Sequence, residues 1–119
     1  MHINQELGRF GENQACQYLV QNNYAIIERN FRCKQGEIDI IAKDISKKEL
    51  VFVEVKTRTS FYFGRPAEAV NTYKKKHIIS ASKYYIYKNS IKNTFVRFDV
   101  IEVLVMPHSF KIEHLKQII

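Results

Sequence analysis

Apolar positions recur at helical spacing over the first twenty residues. At 100° per residue, Leu7, Gly8, Gly11, Ala15, Tyr18 and Leu19 share one face, which predicts a helix over residues 4–21, closed by Asn22 and Asn23. The period then shortens to two. Residues 24–32, 37–43 and 49–58 read as strands, the last two rich in Val, Ile and Phe. The polar stretch between the second and third is short enough for a hairpin. Gly64-Arg65-Pro66 interrupts the pattern, and Pro66 suits the first turn of a helix running to about Lys88. Val70, Tyr73, His77, Ala81 and Tyr84 are its expected buried face. Residues 94–105 form a long strand stopped by Pro107, with a short edge strand expected around Phe110 to Ile112. The order α-β-β-β-α-β predicts an α/β fold in which helices flank a central mixed sheet. With 119 residues and no linker or repeat, residues 1–119 read as one domain.

Two of these strands carry charge where a covered sheet should be apolar on both faces. By alternation, Glu37, Asp39 and Ile41 share a face of the second strand, opposite Ile38, Ile40 and Ala42. In the third strand Phe52, Glu54, Lys56 and Arg58 face one way, and Val51, Val53, Val55 and Thr57 the other. The hairpin is centred between Ser46 and Lys47, midway between Asp39 and Glu54. A symmetric hairpin therefore sets these two carboxylates directly opposite each other, with Cβ atoms ~5 Å apart, an unfavourable pairing. Either Lys56, two residues along, or a divalent cation offsets the repulsion. Mg²⁺ takes one or two carboxylates together with waters and substrate phosphate, and the Val55 carbonyl could add a ligand. The plainer alternative is a Glu54–Lys56 ladder on a half-exposed sheet. Glu12 is a third anomaly, because it lies inside the apolar stripe of the first helix. It completes a carboxylate cluster or else pairs with an arginine at the helix boundary.

Charge narrows the class of partner. The chain carries 19 Lys/Arg against 12 Asp/Glu, a net charge of +7. The excess is concentrated between Lys56 and Lys92, and the rest of the chain is close to neutral. A neutral body with one basic stretch points to an acidic partner, above all nucleic acid. Arg58, Arg65, Lys74, Lys75 and Lys76 follow the candidate site directly and are candidate phosphate contacts. Lys74 lies about 40° from Val70 and points toward the site, whereas Lys75 and Lys76 turn outward. For at least one of this run, a solvated helix face is the plainer reading. Phe61, Tyr62 and Phe63 either stack on bases or cap the core. Arg29 and Arg32, with Asn30, either touch nucleic acid or pair with Glu12. Arg97 and Asp99 share a strand face as a structural ion pair, and His77 reads as a core histidine. No signal peptide and no apolar run of membrane-spanning length are visible, so a cytoplasmic protein with no membrane partner is expected. Cys16 and Cys33 have no zinc-ligand spacing and read as structural thiols.

The run Gly36-Glu37-Ile38-Asp39-Ile40-Ile41-Ala42, followed by Val51-Phe52-Val53-Glu54-Val55-Lys56-Thr57-Arg58, resembles the PD-(D/E)xK nuclease core. More closely, the chain resembles the YraN family of small bacterial proteins with the restriction-endonuclease-like fold. That resemblance extends through Gly8-Arg9-Phe10-Gly11-Glu12, Arg29-Asn30-Phe31-Arg32, Phe63-Gly64, Glu68-Ala69-Val70, Lys74 and Arg97-Phe98-Asp99-Val100. Archaeal Holliday-junction resolvases are similar in layout. Gly-Glu-Ile-Asp stands where the broader nuclease pattern has Pro-Asp, which moves the metal-binding carboxylate to Asp39. The resemblance implies Mg²⁺- or Mn²⁺-dependent hydrolysis of phosphodiester bonds in DNA, branched or structured DNA included. Asp39 and Glu54 would hold the metal, Glu12 would be a further ligand directly or through water, and Lys56 would act on the attacking water. The layout of the resolvases suggests a homodimer. A nucleic-acid-binding module without turnover is the alternative, and a domain docking an acidic protein partner is a third reading.

Overall fold

The computed structural model describes residues 3–59 and 72–118. The elements are α1 (Ile3–Gln21), β1 (Tyr24–Cys33), β2 (Gly36–Asp44), β3 (Glu49–Thr59), α2 (Thr72–Lys88), β4 (Phe95–Val105) and β5 (Phe110–Leu115). The strands form one mixed sheet in the order β1-β2-β3-β4-β5. Only β3 and β4 run parallel, and every other neighbouring pair is antiparallel. The α/β expectation and its element order hold, with β5 as the predicted edge strand. Residues 60–71, which include Phe61, Tyr62, Phe63, Gly64, Arg65, Pro66 and Val70, lie outside the described residues.

The helices cover opposite faces. Ala15 and Leu19 of α1 pack with Ile40, Ala42, Val51, Val53, Val55, Ile101 and Val103. Ala81 and Tyr85 of α2 pack with Phe31, Ile38, Ile41, Leu50 and Phe52. The alternation of β3 between the two clusters is that of a strand buried on both sides. One close approach fixes α1. A Cβ added at Gly11 would collide with Oγ1, Cβ and Cγ2 of Thr57. Only glycine lets the helix backbone sit that near β3, and the next residue is Glu12.

Three expectations need correction. The buried stripe of α2 is Ile78, Ala81, Ser82 and Tyr85, whereas Tyr73 is 71% exposed and Tyr84 only partly covered. His77 is not a core histidine. Its ring lies 4.2 Å from that of Tyr73, and Nδ1 is 2.9 Å from the Tyr73 carbonyl oxygen. The stripe is rotated by about one residue, which lines Lys74 up with Ile78, Ala81 and Tyr85 to within about 40°. The third correction concerns Ile38, which packs with Ile41 rather than with Ile40 and Ala42. Strict alternation fails because β1 and β2 change face together. Arg29 reaches Asn13 on α1, while Phe31 packs on Tyr84 and Tyr85 of α2. Between them Asn30 adopts a left-handed backbone (φ 54°), and the strand pairing passes from Arg29↔Ile40 to Phe31↔Ile38 without Asn30 and Asp39. Asn tolerates that conformation better than most residues.

The far end of the α1 face holds a buried polar cluster. Arg97 donates from Nε and Nη2 to both oxygens of Asp99, from Nη1 to Asp44 and Glu49, and from Nη2 to the Tyr24 hydroxyl, all between 2.6 and 2.9 Å. His114 on β5 lies 2.7 Å from Asp99 through Nε2 and 3.0 Å from the Tyr18 hydroxyl through Nδ1. A carboxylate only accepts, so Nε2 carries the proton. Burial works to raise the Asp99 carboxyl, but hydrogen bonds from His114, Arg97 and the Gln117 amide outweigh it and hold it below its usual range. The Arg97–Asp99 ion pair expected from the sequence is present as part of this larger cluster. Cys16 and Cys33 are both free thiols. No helix among the described residues is long and apolar enough to cross a membrane.

Two stability predictions follow from these contacts. Gly11→Ala should destabilise the fold by about 1–3 kcal/mol, the usual scale of an overpacked contact, as read by urea unfolding. An unchanged midpoint would mean that α1 does not rest on Thr57. Arg97→Met should cost about 3–5 kcal/mol, because Asp44 and Asp99 would be left buried without their cation. A loss below about 1 kcal/mol would show that the cluster is not the tie described here.

Candidate active site

The β2–β3 ladder pairs Asp44 with Glu49 and runs to Ile40↔Val53. One step further, the same register brings Asp39 opposite Glu54, as the hairpin midpoint predicts. The ladder does not continue there. The Val55 amide donates instead to Asp39 Oδ2 at 2.8 Å, so a side-chain carboxylate takes the place of a main-chain carbonyl. This is also where β1 and β2 change face, so the backbone irregularity and the candidate acid coincide.

Glu54 is only 6% exposed. A narrow crevice lined by Phe52, Ile78, Phe98 and Ile118 lies against it. Its Oε2 is 3.0 Å from Lys74 Nζ and 3.5 Å from Lys56 Nζ. Lys56 therefore does offset the carboxylate from two residues along, but Lys74 from α2 sits closer. Glu12 approaches from the α1 side, with Oε1 3.9 Å from Arg29 Nη2. The arginine partner considered for Glu12 is thus Arg29. Arg29 also donates to Asn13 Oδ1 at 2.8 Å.

These charges meet at Asp39. Burial is the largest force on its carboxyl, the Glu54 and Glu12 charges add to it, and the Val55 amide and Lys74 oppose it; the net result is a pKa pushed up to about 7. Burial pulls the Lys74 ammonium down, but its bond to Glu54 and the charges of Glu54 and Asp39 prevail and hold it above its usual value. Among the described residues no three His, Cys, Asp or Glu side chains are grouped to hold a metal ion. Two carboxylates suffice for Mg²⁺ when water and phosphate complete the shell. Asp39, half-buried, and Glu54, buried, with their repulsion only partly offset, have that chemistry. Glu12 stands further back, beside Arg29.

The other sequence candidates are distributed less tightly. Arg58 lies with Nε 2.8 Å from Oε2 of Glu102. That oxygen is buried and has no hydrogen-bond partner among the described residues, so the contact with Arg58 is an ion pair off the hydrogen-bond direction. Arg32 is on the exposed edge strand, 3.4 Å from Glu37, which gives Glu37 a place as a surface partner. Lys76 is exposed and Lys75 half-buried. Arg65 lies outside the described residues. Lys74 points toward the site as expected, but its ion pair with Glu54, like Arg58's commitment to Glu102, was not foreseen. The Lys74 pair was within reach, because Lys74 falls in line with the apolar stripe of α2 and the strand it faces carries Glu54.

The model of "Uncharacterised protein family UPF0102" matches residues 11–103. The UPF0102 protein of Clostridium botulinum strain 657 is 50% identical over 105 residues, which cover 87% of this chain and 84% of that protein. The chain belongs to the UPF0102 family. A further relative, the UPF0102 protein of Clostridioides difficile strain 630, is 50% identical over 103 residues, covering 87% of this chain and 89% of its own. The UPF0102 match begins at Gly11 and takes in Glu12, Asp39, Glu54, Lys56 and Lys74. The contact of α1 with β3 and the whole carboxylate–lysine group therefore lie inside the family segment.

The raised Asp39 carboxyl sets a pH dependence for this UPF0102 chain. A folded state that holds the proton more tightly than the unfolded chain loses stability as pH climbs from about 4 to about 7. Asp39→Asn keeps an oxygen to accept from Val55 but has nothing to titrate. Without divalent metal, the variant should match the wild type near pH 4 and become progressively more stable than it by pH 8, as read by urea midpoints. Parallel pH profiles for the two proteins would show that Asp39 is not under this strain.

Proposed function

We propose that this chain is a Mg²⁺- or Mn²⁺-dependent endonuclease of restriction-endonuclease-like fold that hydrolyses phosphodiester bonds in DNA. The observation that carries the reading is that the β2–β3 register sets Asp39 opposite a buried Glu54 just past the last ladder pair, with two lysines on that glutamate. Opposed carboxylates, one of them buried, are costly for a sheet, and a cation-binding role supplies a reason to keep them. Asp39 and Glu54 would hold the metal, with Glu12 as a further ligand directly or through water. Such a cation polarises a phosphoryl oxygen and lowers the pKa of its bound water.

The chain's own residues do the rest. Lys56, at the rim of Glu54, holds positive charge where the phosphorane builds up its negative charge and orients the attacking water. The main-chain bond from Val55 fixes Asp39 Oδ2 and leaves Oδ1 for other partners. Phe52, Ile78 and Phe98 limit water on the inner side of Glu54. Lys75, Lys76 and Arg65 would bind phosphates nearby, a contact that carries no sequence information and weakens with salt. Arg58, held by Glu102, is the weakest of the proposed phosphate contacts.

The test is a panel of duplex, single-stranded and branched DNA with purified protein and either metal. Glu54→Ala or Lys56→Ala should lower cleavage by about 100-fold or more, the scale of losing one charge-stabilising group, while DNA binding survives. Binding should fall steeply between about 50 and 200 mM salt. Tight, salt-sensitive binding without cleavage on every substrate would replace the enzyme with a nucleic-acid-binding module. Loss of both activities would leave the acidic-protein partner as the reading of the basic face.

A further inference from the structure

We infer that Lys74 is a built-in counter-charge for Glu54 and competes with the divalent cation for that carboxylate. The inference rests on the metal reading of the preceding section and adds a regulation of the same site by a residue of α2. Lys74 Nζ lies 3.0 Å from Glu54 Oε2, closer than Lys56 Nζ at 3.5 Å.

The fold directs Lys74 there. Its position is in line with Ile78, Ala81 and Tyr85, the stripe that packs on the sheet, so its stem leaves the helix on the sheet-facing side. The same part of α2 is pinned against the start of β2. A Cβ at Gly36, where φ is +150°, would lie 3.2 Å from the His77 carbonyl oxygen, so Gly36 allows the helix backbone to sit against the strand. A lysine stem lying along apolar surface with its head on a carboxylate is a stable arrangement.

The two lysines differ in how readily they can leave. The Lys56 side chain is carried on the same strand as Glu54 and is 28% exposed. The Lys74 side chain comes from a separate element and is 39% exposed, so part of it already meets water. A divalent cation on Glu54 and an ammonium at 3.0 Å from the same oxygen repel each other. One must give way, and the more exposed, helix-borne lysine is the one placed to do so. Metal loading then turns Lys74 outward, toward the side on which Lys75 and Lys76 would meet phosphate.

Titrating Mn²⁺ alone into the whole protein by calorimetry tests this without any substrate. Lys74→Gln should bind Mn²⁺ about fivefold more tightly than the wild type, the upper scale of one released ion pair that is partly exposed. Glu54→Gln should weaken binding at least as much. Lys74→Arg keeps the charge and should bind no more tightly than the wild type. A second readout is thermal: the melting temperature of Lys74→Gln should fall without metal and recover in saturating Mn²⁺. Equal affinity in the wild type and Lys74→Gln, with Glu54→Gln still weakened, would overturn the competition and leave the metal reading standing. Should Lys74→Gln fail to fold, tighter binding by Lys74→Arg overturns it. Absence of Mn²⁺ binding in every protein would remove the metal reading together with this inference.

Discussion

The buried guanidinium of Arg97 joins more of this molecule than any other group described. It sits on β4, bonds Asp99 on its own strand, and reaches Tyr24 on β1, Asp44 on β2 and Glu49 on β3. Through Asp99 and His114 it also holds β5. Every strand thus meets one charge cluster at one end of the sheet. The cost of burying an arginine is met only because its donors are matched by carboxylates and a hydroxyl in good geometry. Asp44 and Glu49 are also the first pair of the β2–β3 ladder, so the cluster clamps the hairpin at its closed end. From there the ladder is carried in fixed register to Ile40↔Val53, and the next step is Asp39 and Glu54. The structural ion pairs and the candidate chemistry therefore lie at opposite ends of one hairpin.

That geometry explains how much could be read from residues alone. The strands, both helices and the hairpin register followed from periodicity and from a loop too short to slip. Opposition of Asp39 and Glu54 needed only arithmetic on two positions. The face change at Asn30 and Asp39 was not legible, because alternation rules assume an extended backbone and a single left-handed residue breaks the count. The stripe of α2 was misplaced for a related reason. Tyr73, His77 and Tyr84 share a face by helical spacing, but the packing surface needed Ile78, Ala81 and Tyr85, with Ser82 tolerated through its bond to the Ile79 carbonyl. The Arg97–Asp99 pair was visible as a local motif. Its partners Tyr24, Tyr18 and His114 were not, because they come from elements up to 96 residues apart.

The basic excess between Lys56 and Lys92 has more than one use. Arg58 is spent on Glu102 within the sheet, and Lys56 and Lys74 on Glu54. Only part of the cationic stretch faces outward as a general phosphate surface, with Lys76 the clearest case. Net charge is therefore a poor guide to how many lysines a polyanion would meet, because a lysine already committed to a buried carboxylate contributes little to the outer field.

The same point bears on why the acidic side of the site is tolerated at all. Asp39, Glu54 and Glu12 would repel one another if left alone, and the chain answers each separately. Asp39 accepts from the Val55 amide, Glu54 is met by two lysines, and Glu12 leans on Arg29. None of these answers is complete, since burial and neighbouring charge still drive the Asp39 carboxyl toward neutrality. A sheet selected for stability alone would place apolar residues at positions 39 and 54, as it does at 40, 41, 52 and 53. Strain that persists in a closely packed core marks a position held for something other than stability. Here it falls on the two residues that a divalent cation would relieve.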